Sequence, residues 1–537
     1  MLGNYIILAL FIAVLLGIAC WEMFRTKTTG DFLLGGKTLG PWILAISYGT
    51  TYFSAVVFIG FAGQFGWSAG FNGVWVGLMN ALVGGTLAWL VLGKRTRHMT
   101  HNLNTMTMPE FFSARYGSTN MRWLTACVIF VFLIPYSASV FAGLGYLFQQ
   151  VFHLTMPQVL TLICVVTGFY VFLGGYKAAA RIDFVQGIIM FFGTLLMVYF
   201  VLKYFGGFTA AVEGAKASFA DHCAKFGSDG ATEFDSVRRL PNFILWSVIF
   251  MTSVGVWGLP QMVHKYYAIK DESQIFRGVV ITTIFALVIG CSAYFCGAFS
   301  HLLDPAELSE KMGGKFDSNA LVPIMLIKAL PPALMLVILL LVLSASMSTL
   351  SSLVLVSSSA VSIDLYRGFL ARGKSEKHYL WVMRFLSTMF IVISWVIALY
   401  NPSWIVALMS LSWGAIAGTF LAPYLYGLYW RGTTKAGAYA GMLTGFLTMN
   451  GIYWYRYFAP ALNSLLSCEC LTAHGINLAR YFDPALGPAA AKGYAPVAAT
   501  IAIIVPFFVV PVVSLLTRRL PKDLVDKAFA AGEPAAE

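Results

Sequence analysis

Two stretches of this sequence concentrate hydroxyl side chains inside otherwise apolar segments. The first, 47–54, reads Ser-Tyr-Gly-Thr-Thr-Tyr-Phe-Ser, and the second, 343–352, reads Leu-Ser-Ala-Ser-Met-Ser-Thr-Leu-Ser-Ser. Hydroxyl and carbonyl oxygens are the ligands that hard cations prefer. Neither stretch lies near a Cys or His cluster, which a transition metal would favour. The two stretches are therefore candidate ligands of a small alkali cation.

The stretch 47–54 is predicted to interrupt a helix that crosses a membrane. It lies within the apolar segment 41–66, which exceeds the roughly 20 residues that a span needs. One Gly and four Ser or Thr residues fall within eight positions, and β-branched Thr50 and Thr51 lower the helix preference further. Backbone that leaves the helix at membrane depth must line a polar cavity or be buried, so its freed carbonyls are available to a cation. The alternative is that these small residues only pack helices together.

The second stretch lies in the apolar segment 331–363, which is also long enough to span. At 100° per residue, a helix places four small residues on one face and a fifth directly beside it. The four are Ala345, Ser348, Thr349 and Ser352, and the adjacent residue is Ser351. Such a face offers hydroxyl oxygens and, where the helix loosens, a carbonyl at Ala345. The alternative is a small-residue helix interface whose serines bond back to their own helix.

Asp183 follows a Gly-Gly turn at 174–175 and stands at the start of another apolar segment. Carboxylates inside a membrane are costly and usually functional. An acid at a helix start is also an ordinary cap, so both interpretations stay open.

A second interrupted span is predicted at 255–261, which reads Gly-Val-Trp-Gly-Leu-Pro-Gln. Two glycines and a proline should break this helix. Paired discontinuous helices hold the substrate in inverted-repeat transporters. Trp257 is then a candidate wall of a substrate pocket, with ordinary packing as the alternative.

Composition identifies the class of protein that must position these residues. Of 537 residues, 59% are hydrophobic and only 11% are charged, and the mean hydropathy is +0.77. Soluble domains carry about 25% charged residues, so this is a polytopic membrane protein in a lipid bilayer. The net charge of +12 contains no polybasic block with interleaved aromatics, which argues against a nucleic-acid partner. The eight cysteines lack metal-ligand spacing; Cys223 bridged to Cys468 or Cys470 and free thiols are the alternatives.

Hydropathy predicts an all-α protein with about 13 transmembrane helices in one domain, 1–517, followed by a short cytoplasmic tail, 518–537. Segment 1–30 is expected to hold a first peripheral span, 41–428 the core and 436–517 the last two spans. The predicted spans are 4–23, 41–66, 73–93, 123–152, 158–175, 183–204, 241–264, 278–302, 331–363, 379–400, 403–428, 436–457 and 495–517.

The loops carry a strong charge bias that predicts the orientation. Alternate connections starting with 24–40, together with the tail, hold 23 of the 35 Lys and Arg residues, including Lys265 in the predicted loop 265–277. The opposite loops hold nine. Positive charge collects on the cytoplasmic side. The amino terminus is therefore expected outside and the carboxyl terminus in the cytoplasm, across the plasma membrane, the inner membrane in a bacterium.

Taken together, these stretches resemble the sodium:solute symporter family. The similarity runs from about residue 30 to residue 450, and the motifs that carry it keep the family's order and spacing. They are the loop 32–40 (Phe-Leu-Leu-Gly-Gly-Lys-Thr-Leu-Gly), the Gly-Gly, Asp183, Gln186 stretch, Gly258-Leu-Pro260, Met347-Ser-Thr-Leu-Ser351 and Asp364-Leu-Tyr366. The resemblance implies a five-plus-five inverted repeat of the leucine-transporter type. It also implies uptake by alternating access, with sodium as the coupling ion.

The resemblance also implies which residues bind the ions. Its main sodium site would use the carbonyls of Thr50, Phe53 and Ala345 and the hydroxyls of Ser348 and Thr349. Some family members hold a second sodium ion nearer the cytoplasm, and the matching positions here are Asp183, Ser348, Ser351 and Ser352. Transport of two sodium ions per cycle is therefore a hypothesis.

The substrate is expected to be a small organic carboxylate. The stretch 51–60 resembles the branch that includes pantothenate, monocarboxylate and iodide carriers, whereas 255–260, 321–323 and 329–332 most resemble its pantothenate members. Tyr136 fits the pattern of the proline carriers. Proline carriers place an Asp where this chain has Tyr52, and aromatics where Thr252 and Val256 stand, which disfavours proline. The expected substrate residues are Thr51, Tyr52, Ser54, Tyr136, Trp257 and Gln261.

Four other kinds of protein are alternatives to this interpretation. A proline or other amino-acid symporter and a proton-coupled carrier of the same fold are the nearest. A membrane enzyme would need a His, Asp or Cys constellation that the sequence lacks. A sensor would need a signalling domain, for which 518–537 is too short. The protein is expected to be a monomer or a weak oligomer.

Overall fold

The fold is described from a computed structural model. It covers residues 2–24, 28–35, 39–152, 154–173, 175–371, 373–400, 405–466 and 486–530. Three predictions fall outside these residues. They are positions 36–38 of the motif 32–40, Gly174 of the Gly-Gly turn, and the pairing of Cys223 with Cys468 or Cys470.

The described chain is entirely helical, with no β-strand, which confirms the predicted fold class. The helices of the first half are Leu2–Met23, Thr29–Leu34, Pro41–Tyr52, Val56–Phe61, Ala62–Ala69, Gly70–Gly73, Val74–Met79, Asn80–Leu87, Trp89–Gly93, Lys94–Asn102, Met108–Tyr116, Thr119–Phe152, Met156–Leu173, Tyr176–Tyr204 and Phe208–Lys225. Those of the second half are Asn242–Val254, Gly255–Gly258, Pro260–Tyr267, Ser273–Ala286, Leu287–Cys291, Ser292–Ala298, Phe299–Leu302, Pro305–Lys311, Ser318–Ala329, Pro332–Ser359, Ala360–Leu370, Glu376–Tyr400, Ile405–Tyr429, Lys435–Leu466, Pro488–Leu516 and Lys522–Phe529.

Several of these helices are long and apolar enough to cross a membrane. Within the described residues there are eight, and a ninth if the pair Asn242–Gly258 and Pro260–Tyr267, bent by 44°, is counted as one span. A multi-pass membrane protein follows from their length and composition. The number of thirteen spans stays a prediction.

Three helical elements carry the features that the sequence singled out. The first broken helix comprises Pro41–Tyr52 and its continuation from Val56 to Ala69. The second broken helix comprises Asn242–Gly258 and Pro260–Tyr267. The serine-rich helix is Pro332–Ser359, which packs against the first broken helix. Both broken helices are interrupted where the sequence predicted an interruption, although the first break falls at the end of its predicted stretch.

The helix Tyr176–Tyr204 completes this core, since it packs on both the first broken helix and the serine-rich helix. Close approach depends on Gly187. A Cβ atom added there would lie 2.1 Å from Ile46 Cγ2 and 3.1 Å from Thr50 Cγ2. Small residues let membrane helices approach in this way. The glycine therefore brings the helix that carries Asp183 up to the first broken helix.

A partly buried charged network, in which only Asp364 is fully buried, ties the core together at the predicted cytoplasmic side. Arg122 donates to Glu110 and to Asp364, each at 2.7 Å. The hydroxyl of Thr107, which also caps the helix Met108–Tyr116, donates to Asp364 at 3.0 Å. Asp364, a residue of the 364–366 motif, is thereby an anchor between three helical segments.

Candidate ion and substrate site

The break in the first broken helix is formed by Phe53 and Ser54. The last regular backbone bond runs from the Phe53 amide to the Gly49 carbonyl at 3.1 Å, and Phe53 is extended, with φ −102° and ψ 103°. The helix is therefore continuous through Gly49, although the sequence predicted an interruption anywhere within 47–54. A Cβ atom at Gly49 would lie 2.4 Å from Phe285 Cδ1. This glycine serves close packing, and the chain leaves the helix four residues later.

The carbonyls just before this break point at the serine-rich helix. The Ser348 hydroxyl lies 3.0 Å from the Thr50 carbonyl oxygen, and the Thr349 hydroxyl lies 3.2 Å from that of Thr51. On the serine-rich helix itself, the Ala345 carbonyl accepts from Thr349 at 3.0 Å and from Ser348 at 3.2 Å. Both hydroxyls are completely buried. We call these oxygens the neutral cluster.

The neutral cluster unites four of the five residues that the resemblance assigned to the main sodium site. The fifth, Phe53, forms the break itself and is completely buried. Hydroxyl and carbonyl oxygens that meet in a buried space offer a small hard cation several ligands without any formal charge. The arrangement has the chemistry of an exchangeable alkali-ion site.

A second group of polar atoms lies beside the neutral cluster, and we call it the charged cluster. The Ser47 hydroxyl donates to Asp183 Oδ2 at 2.5 Å, a short charge-assisted bond. The Lys265 ammonium donates to Ser47 Oγ at 2.7 Å and to Ser352 Oγ at 3.2 Å, and lies 3.5 Å from Asp183 Oδ2. All four residues are buried.

The charged cluster contains two of the four residues predicted for a second sodium site, Asp183 and Ser352. The Ser351 hydroxyl instead bonds back to the Ser348 carbonyl at 2.9 Å. Ser47 and Lys265 were missed as members of this cluster. Lys265 was assigned to a cytoplasmic loop, and the structure shows it buried in Pro260–Tyr267, the second half of the second broken helix. One signal was available, since residue 265 lies one turn beyond Gln261 after a helix-starting proline.

The predicted substrate residues divide into two contact groups. Tyr52 stacks on Trp413 with ring centroids 6.4 Å apart, and Tyr136 meets the same ring edge-on at 5.7 Å. The Tyr52 hydroxyl also donates to the Thr252 carbonyl of the second broken helix at 2.7 Å. Trp413, on the helix Ile405–Tyr429, was not predicted; it is a buried aromatic that nothing in its local sequence distinguishes from a packing residue.

The remaining predicted substrate residues lie along the two breaks. Thr51 Oγ1 is 3.0 Å from Ser352 Oγ, which joins the substrate residues to the charged cluster. Ser54 accepts from the Val56 amide at 3.2 Å, and Trp257 donates to the Val83 carbonyl at 3.1 Å. Gln261 is buried, and its Oε1 has no hydrogen-bond partner among the described residues. An unpaired buried amide oxygen is an acceptor available to a ligand or a water molecule.

A groove of about 640 Å³ opens elsewhere, between Pro41–Tyr52, Tyr176–Tyr204 and Ser273–Ala286. Its lining is apolar apart from Arg277, and its rim residues Phe192 and Phe276 are exposed. None of the predicted substrate residues line this groove. No residue of the neutral or the charged cluster lines this groove.

The chain matches known proteins over most of its length. The model of the sodium:solute symporter family matches residues 32–445. The sodium/proline symporter of Escherichia coli is 28% identical over 83% of this chain and 86% of its own length. The sodium/pantothenate symporter of Haemophilus influenzae is 26% identical over 85% and 92%, respectively. A solved structure of a Na+-coupled sialic acid symporter superimposes with a TM-score of 0.70 at 15% identity, covering 96% of this chain and 98% of that one.

Proposed function

Because the chain belongs to the sodium:solute symporter family, we propose that it imports a small organic carboxylate, pantothenate-like or a monocarboxylate, together with sodium. The coupling ion is sodium, and the protein is a transporter rather than an enzyme. We also propose a sodium site, a substrate class, an orientation and a cellular membrane for this protein. The observation that carries it is the neutral cluster between the first broken helix and the serine-rich helix.

The neutral cluster explains how sodium binding could be coupled to a conformational change. A cation held by the Thr50, Phe53 and Ala345 carbonyls and by the Ser348 and Thr349 hydroxyls bridges two separate helices. Binding therefore favours the state in which those helices are close, which is the state that holds the substrate residues in place. When the helices separate toward the cytoplasm, the ligands separate with them and sodium is released. At 100 mV, each translocated charge contributes about 2.3 kcal/mol.

The carboxylate assignment is supported by the contact between Tyr52 and Thr252. Tyr52 and Thr252 are two of the positions at which the sequence departs from proline carriers. The Tyr52 hydroxyl donates a hydrogen bond to the Thr252 backbone carbonyl, which joins the two broken helices. Tyr52 supplies bulk and no negative charge beside the break, so no acidic side chain there repels a carboxylate. The amides at the start of a half-helix favour an anion. Overall identity does not decide the substrate, because proline and pantothenate relatives match almost equally well.

The orientation follows from the loop charges. With the Lys- and Arg-rich loops in the cytoplasm, the amino terminus lies outside and the carboxyl terminus inside the plasma (inner) membrane. We propose a monomer or a weak oligomer as the transporting unit.

Uptake into proteoliposomes tests the proposal. Labelled pantothenate, lactate, acetate and proline are each offered with an inward sodium gradient, with a proton gradient alone, and with neither. We expect sodium-driven accumulation of pantothenate or of a monocarboxylate. Accumulation of proline alone would overturn the substrate class in favour of an amino-acid symporter, and accumulation driven by protons without sodium would favour the proton-coupled alternative.

A matched pair of variants locates the ion site. Thr349→Ala removes a hydroxyl of the neutral cluster, whereas Ser346→Ala removes one that bonds to the Val342 carbonyl of its own helix at 2.8 Å. We expect only Thr349→Ala to raise the sodium concentration at half-maximal uptake. Equal sodium dependence in the two variants would contradict the site assignment.

A further inference from the structure

Lys265 is an unusual residue for the centre of a membrane protein. It is only 1% exposed and lies in the second half of the second broken helix. Basic side chains inside a membrane are costly, and those that occur are paired and functional. The transport mechanism above assigns Lys265 no role.

Among the described residues, every close polar partner of Lys265 is an oxygen of the charged cluster. Its ammonium donates to Ser47 and Ser352 and pairs with Asp183, and the face of the Tyr176 ring lies 5.2 Å away. Two hydroxyls, a carboxylate and an aromatic face are a complete environment for one monovalent cation. Asp183 Oδ2 and the Ser47 and Ser352 hydroxyls are thus already directed at an ammonium group, while Asp183 Oδ1 has no hydrogen-bond partner among the described residues.

We infer that the Lys265 ammonium is the resident cation of the charged cluster and takes the place of a second sodium ion, so that one sodium ion moves per transport cycle. The inference rests on the proposed neutral-cluster site and refines its stoichiometry. The ammonium occupies the space between Asp183 and Ser352. One carboxylate balances one positive charge, and a sodium ion added beside the lysine would be an uncompensated charge in a buried site.

A tethered cation differs from an ion in that it cannot be released. Lys265 links the second broken helix to Asp183 on Tyr176–Tyr204, to Ser47 on the first broken helix and to Ser352 on the serine-rich helix. The charged cluster can therefore hold these four helices together without drawing on the sodium gradient. The neutral cluster alone binds an ion that exchanges with solution.

Equilibrium binding of ²²Na⁺ to the purified, detergent-solubilised full chain tests this inference. We expect one saturable site per protein in the wild type and a second in Lys265→Met, because that substitution frees Asp183, Ser47 and Ser352 for sodium. The double variant Lys265→Met/Asp183→Asn should return to one site. Lys270→Met, which changes an exposed lysine five residues away, is the matched control and should bind one sodium ion.

Two sites in the wild type, or one site in a monodisperse Lys265→Met protein, would overturn the inference. If Lys265→Met does not fold, Ser352→Ala in the lysine background decides: the count stays at one if the lysine is the cation, and falls from two to one if Ser352 binds sodium. The proposed function fails differently, since it requires Thr349→Ala to weaken the wild-type site. A wild-type protein that binds no ²²Na⁺ would therefore contradict the neutral cluster as a sodium site as well.

Discussion

The neutral and charged clusters lie side by side against the same serine-rich helix, yet only one of them contains ionised side chains. The neutral cluster presents hydroxyls and carbonyls with no ionised side chain among its described members. The charged cluster contains a carboxylate and an ammonium that share one hydroxyl, that of Ser47. A site of neutral oxygens binds a cation moderately and lets it leave, which a coupling ion requires. A site with its own fixed cation links helices without releasing an ion to solution.

If Lys265 is the resident cation of the charged cluster, burial of polar groups near a predicted ion site is not itself evidence of ion binding. Both clusters are buried, and both draw on the serine-rich helix. What distinguishes them is whether the oxygens already have a partner of opposite charge. In a medium of low dielectric constant an unbalanced charge is costly, so oxygens that already hold a cation do not favour a second cation beside it.

The largest effect is expected from breaking the charged pair. Asp183→Asn leaves Lys265 buried without its counter-charge, and unpaired buried charges typically cost about 3–5 kcal/mol. We expect a large fall in the thermal unfolding temperature in detergent. In Asp183→Asn/Lys265→Met neither charge remains, so its loss of stability should be smaller than that of Asp183→Asn alone. A double variant as unstable as the sum of the singles would show that the pair is not coupled.

A smaller effect is expected at the neutral cluster, and it should appear in sodium dependence rather than in stability. A hydrogen bond or ligand contact to a charged group is worth about 1.5–3 kcal/mol, so Ser348→Ala should raise the half-saturating sodium concentration roughly 10- to 100-fold. Uptake as a function of sodium concentration measures this. A Ser348→Ala protein that lost stability but kept its sodium dependence would assign this hydroxyl to packing.

Packing between the helices should affect both clusters at once. Gly187→Ala introduces a Cβ atom only 2.1 Å from Ile46 Cγ2 and 3.1 Å from Thr50 Cγ2. Overpacking of this kind costs about 1–3 kcal/mol. We expect reduced stability together with weaker sodium binding, since Thr50 belongs to the neutral cluster. Gly168→Ala, which adds a Cβ with no atom within 4 Å, is the control and should behave as the wild type.

The smallest effect is expected at Tyr52, whose hydroxyl bonds to the second broken helix and to neither cluster. Tyr52→Phe removes only the hydrogen bond to the Thr252 carbonyl, worth about 0.5–1.5 kcal/mol. We expect a roughly two- to tenfold rise in the substrate concentration at half-maximal uptake, with unchanged half-saturating sodium. A shift in sodium dependence of the same size would mean that Tyr52 acts through the ion site.

Local sequence located both broken helices. Gly255, Gly258 and Pro260 lie within six residues and together predict an interruption, and the second broken helix bends between Gly258 and Pro260. Around 47–54 the composition indicated a break without fixing its position. Gly49 stays helical because Phe285 packs against it, and the chain becomes extended only at Phe53. Propensity is a local quantity, and contacts from a distant helix override it.

The residue types and their spacing by themselves determined the class of this protein, its helical fold and the hydroxyl face that carries Ser348 and Thr349. Only the tertiary structure decided what each polar group meets. Lys265 is 82 residues from Asp183 in the sequence, and its spacing is equally consistent with a loop. Its pairing depends on how four helices converge, because whether a buried oxygen is free for an ion depends on neighbours that are remote along the chain.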